Sequence, residues 1–298
     1  PVILMTGLDD LNSKIMGLTI GADDFLLKPL NTRELIARVL SLLRLKKTHD
    51  ELFEKNRLIE TELKVARKIQ QFVVPQSFPD VSNPSIACRY LPIEQIGGDF
   101  FDVFQLENNC LGFLIADVTG HGIPAALVMS MCTMMFRFHA PAQEQPSALF
   151  NIINSAAKSI LLDGQYITAF YLIYNPAEHT LTFSNAGHTR ALFLRKNQSK
   201  IMALDTQGFF LGISEEPSHE ERTIKVNKGD RLFLYTDGIA EHKNHAGDDF
   251  GEKGLAVVLK EQKNIGNEAF CDILLEELNR HASLEKRSDD IAFMCVDF

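Results

Sequence analysis

A chain of 298 residues, 45% hydrophobic and 23% charged, holds enough apolar mass for one large domain or two ordinary ones, which excludes a disordered or low-complexity protein. Thirty Lys and Arg against 39 Asp and Glu leave a formal charge of -9, so the basic stripe that a general nucleic-acid binder needs is missing. Five widely spaced cysteines without a CxxC pair argue against a zinc site or a disulfide framework and suit a reducing cytoplasm, and the longest apolar stretch, Ala125–Phe136, falls short of a membrane span.

The chain starts at Pro1, which reads as a piece of a longer protein; no basic segment leads into an apolar one, so no signal peptide is expected at this start, and any targeting segment would lie in the missing part. Residues 1–46 alternate strand, helix, strand, helix: Pro1–Met5, Asp9–Leu18, Asp24–Leu27 and Thr32–Leu45. Two β/α units cannot bury a two-sided parallel sheet, so this segment is expected to be part of an α/β domain. The stretches PVILMTG, GADDFLLKP and ELIARVLSLL resemble the last two strands and helices of a two-component receiver domain. The resemblance implies that Thr6 is the switch hydroxyl, that Lys28 is the lysine contacting the phosphoryl group, and that the Lys28–Pro29 bond is cis. It also implies an upstream histidine kinase acting through the complete receiver, whose phosphate-accepting aspartate lies before Pro1.

Residues 47–74 read as a helical linker. Leu45, Leu52, Ile59, Ala66 and Val73 recur every seven residues, with Leu42, His49, Asn56, Leu63 and Gln70 on the companion seam and charges on the other faces. Such a seam predicts a two-stranded coiled coil and hence a homodimer; a single amphipathic helix packed on its own domain is the alternative. Pro75 and Pro79 end the helix.

From 75 to 298 strands dominate. Ile86–Leu91, Phe100–Leu106 and Leu111–Val118 read as a meander of three strands, followed by helices Ile123–His139 and Pro146–Leu162. Short strands follow at Ile167–Tyr174, Leu181–Ser184, Ala191–Arg195, Lys200–Leu204, Arg222–Val226 and Arg231–Thr236. Helices near Lys253–Gln262 and Glu268–His281 precede a last strand, Ile291–Val296. The pattern predicts an α+β layered domain with antiparallel sheets.

Acidic residues stand where these strands end: Asp99 after Gly97-Gly98, Asp117 opening DVTGHG, Asp237 in YTDG, and Asp289-Asp290 before the final strand. A carboxylate at the end of a buried strand is costly unless it is paired or bound to a cation, and the neighbouring glycines allow close backbone approach. An oxygen-only donor set suits Mg²⁺ or Mn²⁺, and two such ions sharing a carboxylate can activate a water for in-line attack on phosphorus. Arg89, ten residues before Asp99, is either a bidentate fork for a substrate phosphate or a solvated strand arginine.

GGDFFDV, ADVTGHGIPAAL, SNAGH, LFLYTDGIAE and SDDIAFMCV, in this order, resemble the motifs of the PPM-type (phosphatase 2C-like) serine/threonine phosphatases, in the bacterial branch of the stage II sporulation and sigma-factor stress-response phosphatases. The resemblance implies an α-β-β-α sandwich and two divalent cations, Mn²⁺ or Mg²⁺. Asp117 would bridge them with the Val118 carbonyl beside it, and Asp99, Asp237 and Asp289 or Asp290 would be further ligands. His121 would be either a general acid for the leaving oxygen or a loop-packing residue, and Asn185, Gly187 and His188 a supporting turn. The implied substrate is a phosphoprotein resembling an anti-sigma-factor antagonist, without nucleic acid or membrane. A catalytically inactive adaptor of the same fold is the alternative, and the complete set of carboxylates favours the enzyme.

Overall fold

The computed structural model describes residues 1–7, 11–73, 75, 78–79, 83–93, 96–196, 198, 200–282 and 289–298, apart from the side chains of residues 11–14. Asp9 and Asp10, expected to open the first helix, lie outside the described residues. Contacts divide the chain into two units, Pro1–Val65 and Ala66–Phe298.

In the first unit β1 (Ile3–Thr6) runs parallel to β2 (Asp24–Leu27), joined through α1 (Leu11–Thr19), and Thr6 stands opposite Leu27. The Lys28 amide donates to the Thr6 carbonyl at 2.8 Å, and the Lys28–Pro29 peptide is cis. The two switch candidates, Thr6 and Lys28, thus stand at adjacent strand ends. Helix α2 (Thr32–Val73) opens with Asn31 accepting the Arg33 and Glu34 amides, an N-cap, and Arg38 clamps it to Asp24 at 2.8 Å. It then runs unbroken for 42 residues. The expected boundary between receiver and linker at residue 46 thus falls inside one helix, and the last turns, from Ala66, belong with the second unit rather than with a separate linker ending at 74. Leu45, Leu52 and Ile59 of the heptad seam are exposed on the single chain.

The second unit is built on two antiparallel five-stranded sheets. The first carries β4 (Phe100–Gln105), β5 (Leu111–Val118), β6 (Ile167–Asn175), β7 (Thr180–Ala186) and β10 (Arg222–Lys225), adjacent in that order. The second is ordered β3 (Ser85–Leu91), β12 (Ile291–Asp297), β11 (Arg231–Tyr235), β8 (Ala191–Leu194) and β9 (Ile201–Leu204). The expected meander is corrected here: β4 and β5 pair with each other, but β3 pairs along its whole length with β12. Both faces of β3 find apolar cover in the second sheet, where Ile86 and Cys88 turn toward the inter-sheet core and Ala87 toward the helices.

Three cores separate four layers. α3 (Gly122–His139) and α4 (Pro146–Ala157) bury Met129, Phe136, Phe150 and Ile153 against the first sheet. Phe113, Ile115, Phe170 and Phe183 meet Phe193, Leu234 and Met294 between the sheets. α6 (Gly251–Glu261) and α7 (Asn267–Ala282) cover the second sheet with Leu255, Phe270 and Leu274. Strand β5 is buried on both faces, Phe113 and Ile115 inward and Leu114 and Ala116 toward α3, which explains its continuous apolar run. α5 (Asp237–Ala240) is a single turn directly after β11.

Candidate active site

Asp117 ends β5, Asp99 precedes β4, Asp237 begins α5, and Asp289-Asp290 precedes β12. The two sheets thus deliver their acidic ends to one edge of the sandwich. Asp99 is 2% exposed; burial, then the neighbouring Asp117, holds its carboxyl well above the usual range, although the Thr236 hydroxyl offsets part of this. Asp117 is pushed up to about 7 by burial, then by the charge of Asp237, with Asp289 and Asp290 adding to it. A hydrogen bond between the two carboxyls raises Asp99 further and lowers Asp117. Asp237 rises to about 6 through burial and then Asp289.

The side chains present fit a divalent cation. Asp99 Oδ2 is buried without a hydrogen-bond partner among the described residues, and mutual repulsion raises every carboxyl that turns inward. At Gly98 an added Cβ would stand 2.9 Å from the Val118 carbonyl oxygen and 3.6 Å from Asp117 Oδ1, so only glycine leaves that oxygen-lined gap open. No group of three or more His, Cys, Asp or Glu is gathered at metal-holding spacing among the described residues. Asp99, Asp117 and Asp290 adjoin Gly98, and a cation of opposite charge is what would draw the acids together.

Asp289 and Asp290 separate clearly. Asp290 is 5% exposed and spends both oxygens on the backbone, Oδ1 accepting from Ile93 N and Oδ2 from Gly98 N, each at 2.8 Å. Asp289 is exposed, caps the Asp290 amide at 2.8 Å, and is the nearest charge acting on Asp237. His121 is exposed at the N-cap of α3, four residues after Asp117, with extended backbone. Asn185 takes the His188 amide at 2.7 Å and donates to the His188 carbonyl at 3.0 Å, which closes the NAGH turn. Burial drives the His188 imidazole down to about 3, so it stays neutral against Thr168.

Arg89 is not gathered with the carboxylates. Its guanidinium binds Asp272 at 2.6 Å and Glu268 at 3.0 Å on α7, on the helix-covered face of its sheet, because strand alternation turns it opposite to Tyr90. Tyr90 is the residue that sequence reasoning missed: its hydroxyl lies beside Gly97, and burial, then Asp290, Asp99 and Asp117, raise its pKa. Gln70, in the last turns of α2, was missed too. It is buried, donates from Nε2 to the Gly97 carbonyl at 2.8 Å and accepts the Gly97 amide at 3.3 Å. Its place on the heptad seam was visible in the sequence, but not its partner.

A family model described as Stage II sporulation protein E (SpoIIE) matches residues 107–298. The chain is 29% identical over 189 residues to phosphoserine phosphatase RsbU of Bacillus subtilis (strain 168), covering 63% of this chain and 56% of that protein. A shorter likeness, 50% over 56 residues, links 19% of the chain to 24% of the regulatory protein VanR of Enterococcus faecium. The solved SiaA-PP2C domain of Pseudomonas aeruginosa matches with a TM-score of 0.74 at 19% identity, covering 82% of this chain and 98% of that one, which speaks for the fold. The chain spans about half the length of the curated relatives it matches. With the family model covering well over half of its residues, the chain belongs to the Stage II sporulation protein E (SpoIIE) family.

Proposed function

We propose that this chain is a Mn²⁺- or Mg²⁺-dependent phosphoserine/phosphothreonine phosphatase acting on a phosphoprotein, of the anti-sigma-factor-antagonist kind, within a cytoplasmic response-regulator pathway. The observation that carries the reading is the set of mutually repelling buried carboxylates around the gap at Gly98, with Asp117 held near neutrality. Asp99, Asp117, Asp237 and Asp289, with the Val118 carbonyl, would hold two cations. When bound, these supply the positive charge and Lewis acidity that phosphoester hydrolysis needs.

The chain's own residues do the positioning. Asp290 holds Ile93 and Gly98 by their backbone amides. Tyr90 fills the wall behind Gly97. His121, exposed at the N-cap of α3, would act as general acid for the leaving serine or threonine oxygen. Thr6 and Lys28 read the state of the completed receiver, under a histidine kinase, and α2 pairs with its copy through Leu45, Leu52 and Ile59 to form a homodimer.

The test is hydrolysis of p-nitrophenyl phosphate and of a phosphoserine peptide by the full chain. Turnover should vanish in EDTA, return with Mn²⁺ or Mg²⁺, and survive thiol alkylation. Turnover indifferent to EDTA, or abolished by alkylation of a still-folded protein, would falsify the reading.

A further inference from the structure

The connection between β9 and β10, residues 205–221, places apolar side chains in water on a rigid frame. Phe209 is 61% exposed, Ile213 55% and Phe210 38%, and Leu162, after α4, is 65%. The backbone beneath them is fixed. Leu211 exchanges both amide hydrogen bonds with Ile167, at 2.9 and 3.0 Å. Asn154, buried in α4, accepts from Gly212 N at 2.8 Å and donates to the Ser214 carbonyl at 2.9 Å. His219 Nε2 meets the Phe209 carbonyl at 2.9 Å, and its ring lies against Phe150. A held loop that presents several exposed apolar side chains has the preorganisation of a recognition surface.

The patch is continuous with the candidate active site. Phe210 stacks on Tyr166, with centroids 4.5 Å apart and planes 22° from parallel. Tyr166 is bound on both sides of its backbone to Thr119, two residues past Asp117: its amide donates to Thr119 Oγ1 at 2.9 Å, and its carbonyl accepts the Thr119 amide at 3.1 Å. Phe210 also covers Gly187 of the NAGH turn, whose φ of +72° already demands glycine and where an added Cβ would collide with the ring. Glu215 is paired with Lys158, and the carboxylates of Asp163 and Glu216, exposed nearby in sequence, disfavour an acidic visitor.

We propose that Leu162, Tyr166, Phe209, Phe210 and Ile213 form the surface that receives apolar side chains flanking the phosphorylated residue of the protein substrate. This rests on the phosphatase reading and adds a substrate preference to it. The occupant is the substrate and not a second copy of the chain, because Tyr166 joins the patch to Thr119, two residues past Asp117, through one backbone hydrogen bond and one to the Thr119 hydroxyl.

The test uses the full chain with Mn²⁺ and three substrates: p-nitrophenyl phosphate, and two phosphoserine peptides identical except for Leu or Asp at positions two to four on either side. The wild type should prefer the Leu peptide by about tenfold or more in kcat/KM, the scale of burying one such side chain. Phe209→Ser with Ile213→Ser should erase that preference through KM while p-nitrophenyl phosphate turnover stays within about twofold; both side chains are exposed, so folding is not at stake. Equal rates on the two peptides, or a preference that survives in the double variant, overturn the surface but leave the phosphatase standing. A patch that proves to mediate self-association, seen as a dimer lost in the variant by sedimentation with peptide preference unchanged, also overturns it. Failure to hydrolyse any of the three substrates removes the phosphatase reading, and this inference with it.

Discussion

Replacing Asp117 with Asn should make the cation-free protein more stable and the enzyme inactive. In the absence of cation the Asp117 charge opposes folding, since burial and then Asp237 lift its carboxyl from 3.8 to about 7. A carboxyl that holds its proton more tightly folded than unfolded stabilises the fold only while protonated. Stability therefore falls as pH rises from about 4 to about 7 and stays low above that. Three pKa units correspond to about 4 kcal/mol, and because the substitution also disturbs the hydrogen bond with Asp99, recovery of about 2–4 kcal/mol is expected. For a unit of this size that is a rise in Tm of about 5–15 °C. In EDTA at pH 8 the variant should melt higher than the wild type by this amount, and at pH 4.5 the two should nearly coincide. Mn²⁺ should reverse the order at pH 8 by stabilising the wild type and hardly the variant, whose turnover should be down by more than ~100-fold. Scanning calorimetry with parallel p-nitrophenyl phosphate assays gives both readouts. A variant that is less stable than wild type in EDTA at pH 8, or that gains as much from Mn²⁺, would refute the reasoning.

The neighbouring acids should part company. Asp289→Asn should abolish Mn²⁺-dependent turnover with Tm in EDTA unchanged or raised, whereas Asp290→Asn, which turns an amide NH₂ toward a backbone donor, should cost about 1–3 kcal/mol in denaturant melts whether or not Mn²⁺ is present. Arg89→Ala should leave the KM for p-nitrophenyl phosphate within about twofold and cost no more than about 1 kcal/mol, as loss of a partly exposed pair with α7 does; a large rise in KM would return Arg89 to the phosphate. Gln70→Ala strips the Gly97 amide and carbonyl of their partner and should weaken Mn²⁺ activation several-fold in a metal titration, with unchanged thiol accessibility as the check on folding. Leu52→Lys with Ile59→Lys should lower the dimer fraction in sedimentation; an unchanged dimer would mean that the seam does not pair.

Much of the second unit could be read from residue pattern alone because its determinants are local. Strand β5 is a continuous apolar run closed by an acid and a glycine-rich turn, and such a run can hardly be anything but a buried strand with a site at its end. Pairing is not local. The partner of β3 lies about 200 residues later, so proximity to β4 in sequence suggested the wrong sheet. The same distance hid the role of Arg89, since the two carboxylates that hold it arrive only with α7. Asp289 and Asp290 are consecutive and precede β12, so nothing local says which of them the amides of Ile93 and Gly98 claim. Heptad spacing put Gln70 on a seam, yet the spacing could not distinguish a position facing a second helix from one facing the backbone of Gly97.

Helix α2 has no break between Thr32 and Val73, and Gln70 is locked to Gly97 near its end. Within the part of the helix that belongs to the first unit, successive side chains are turned by about 100° per residue. One residue inserted near Lys55 would swing Leu45 and Leu52 about a quarter of a turn relative to Ile59, while seven would return them to within about 20° of where they began. Whatever engages the outer half of α2 must tolerate an insertion of seven far better than one of two or five, so an insertion series would report, as a periodic rise and fall of activity, whether the helix transmits rotation or merely length.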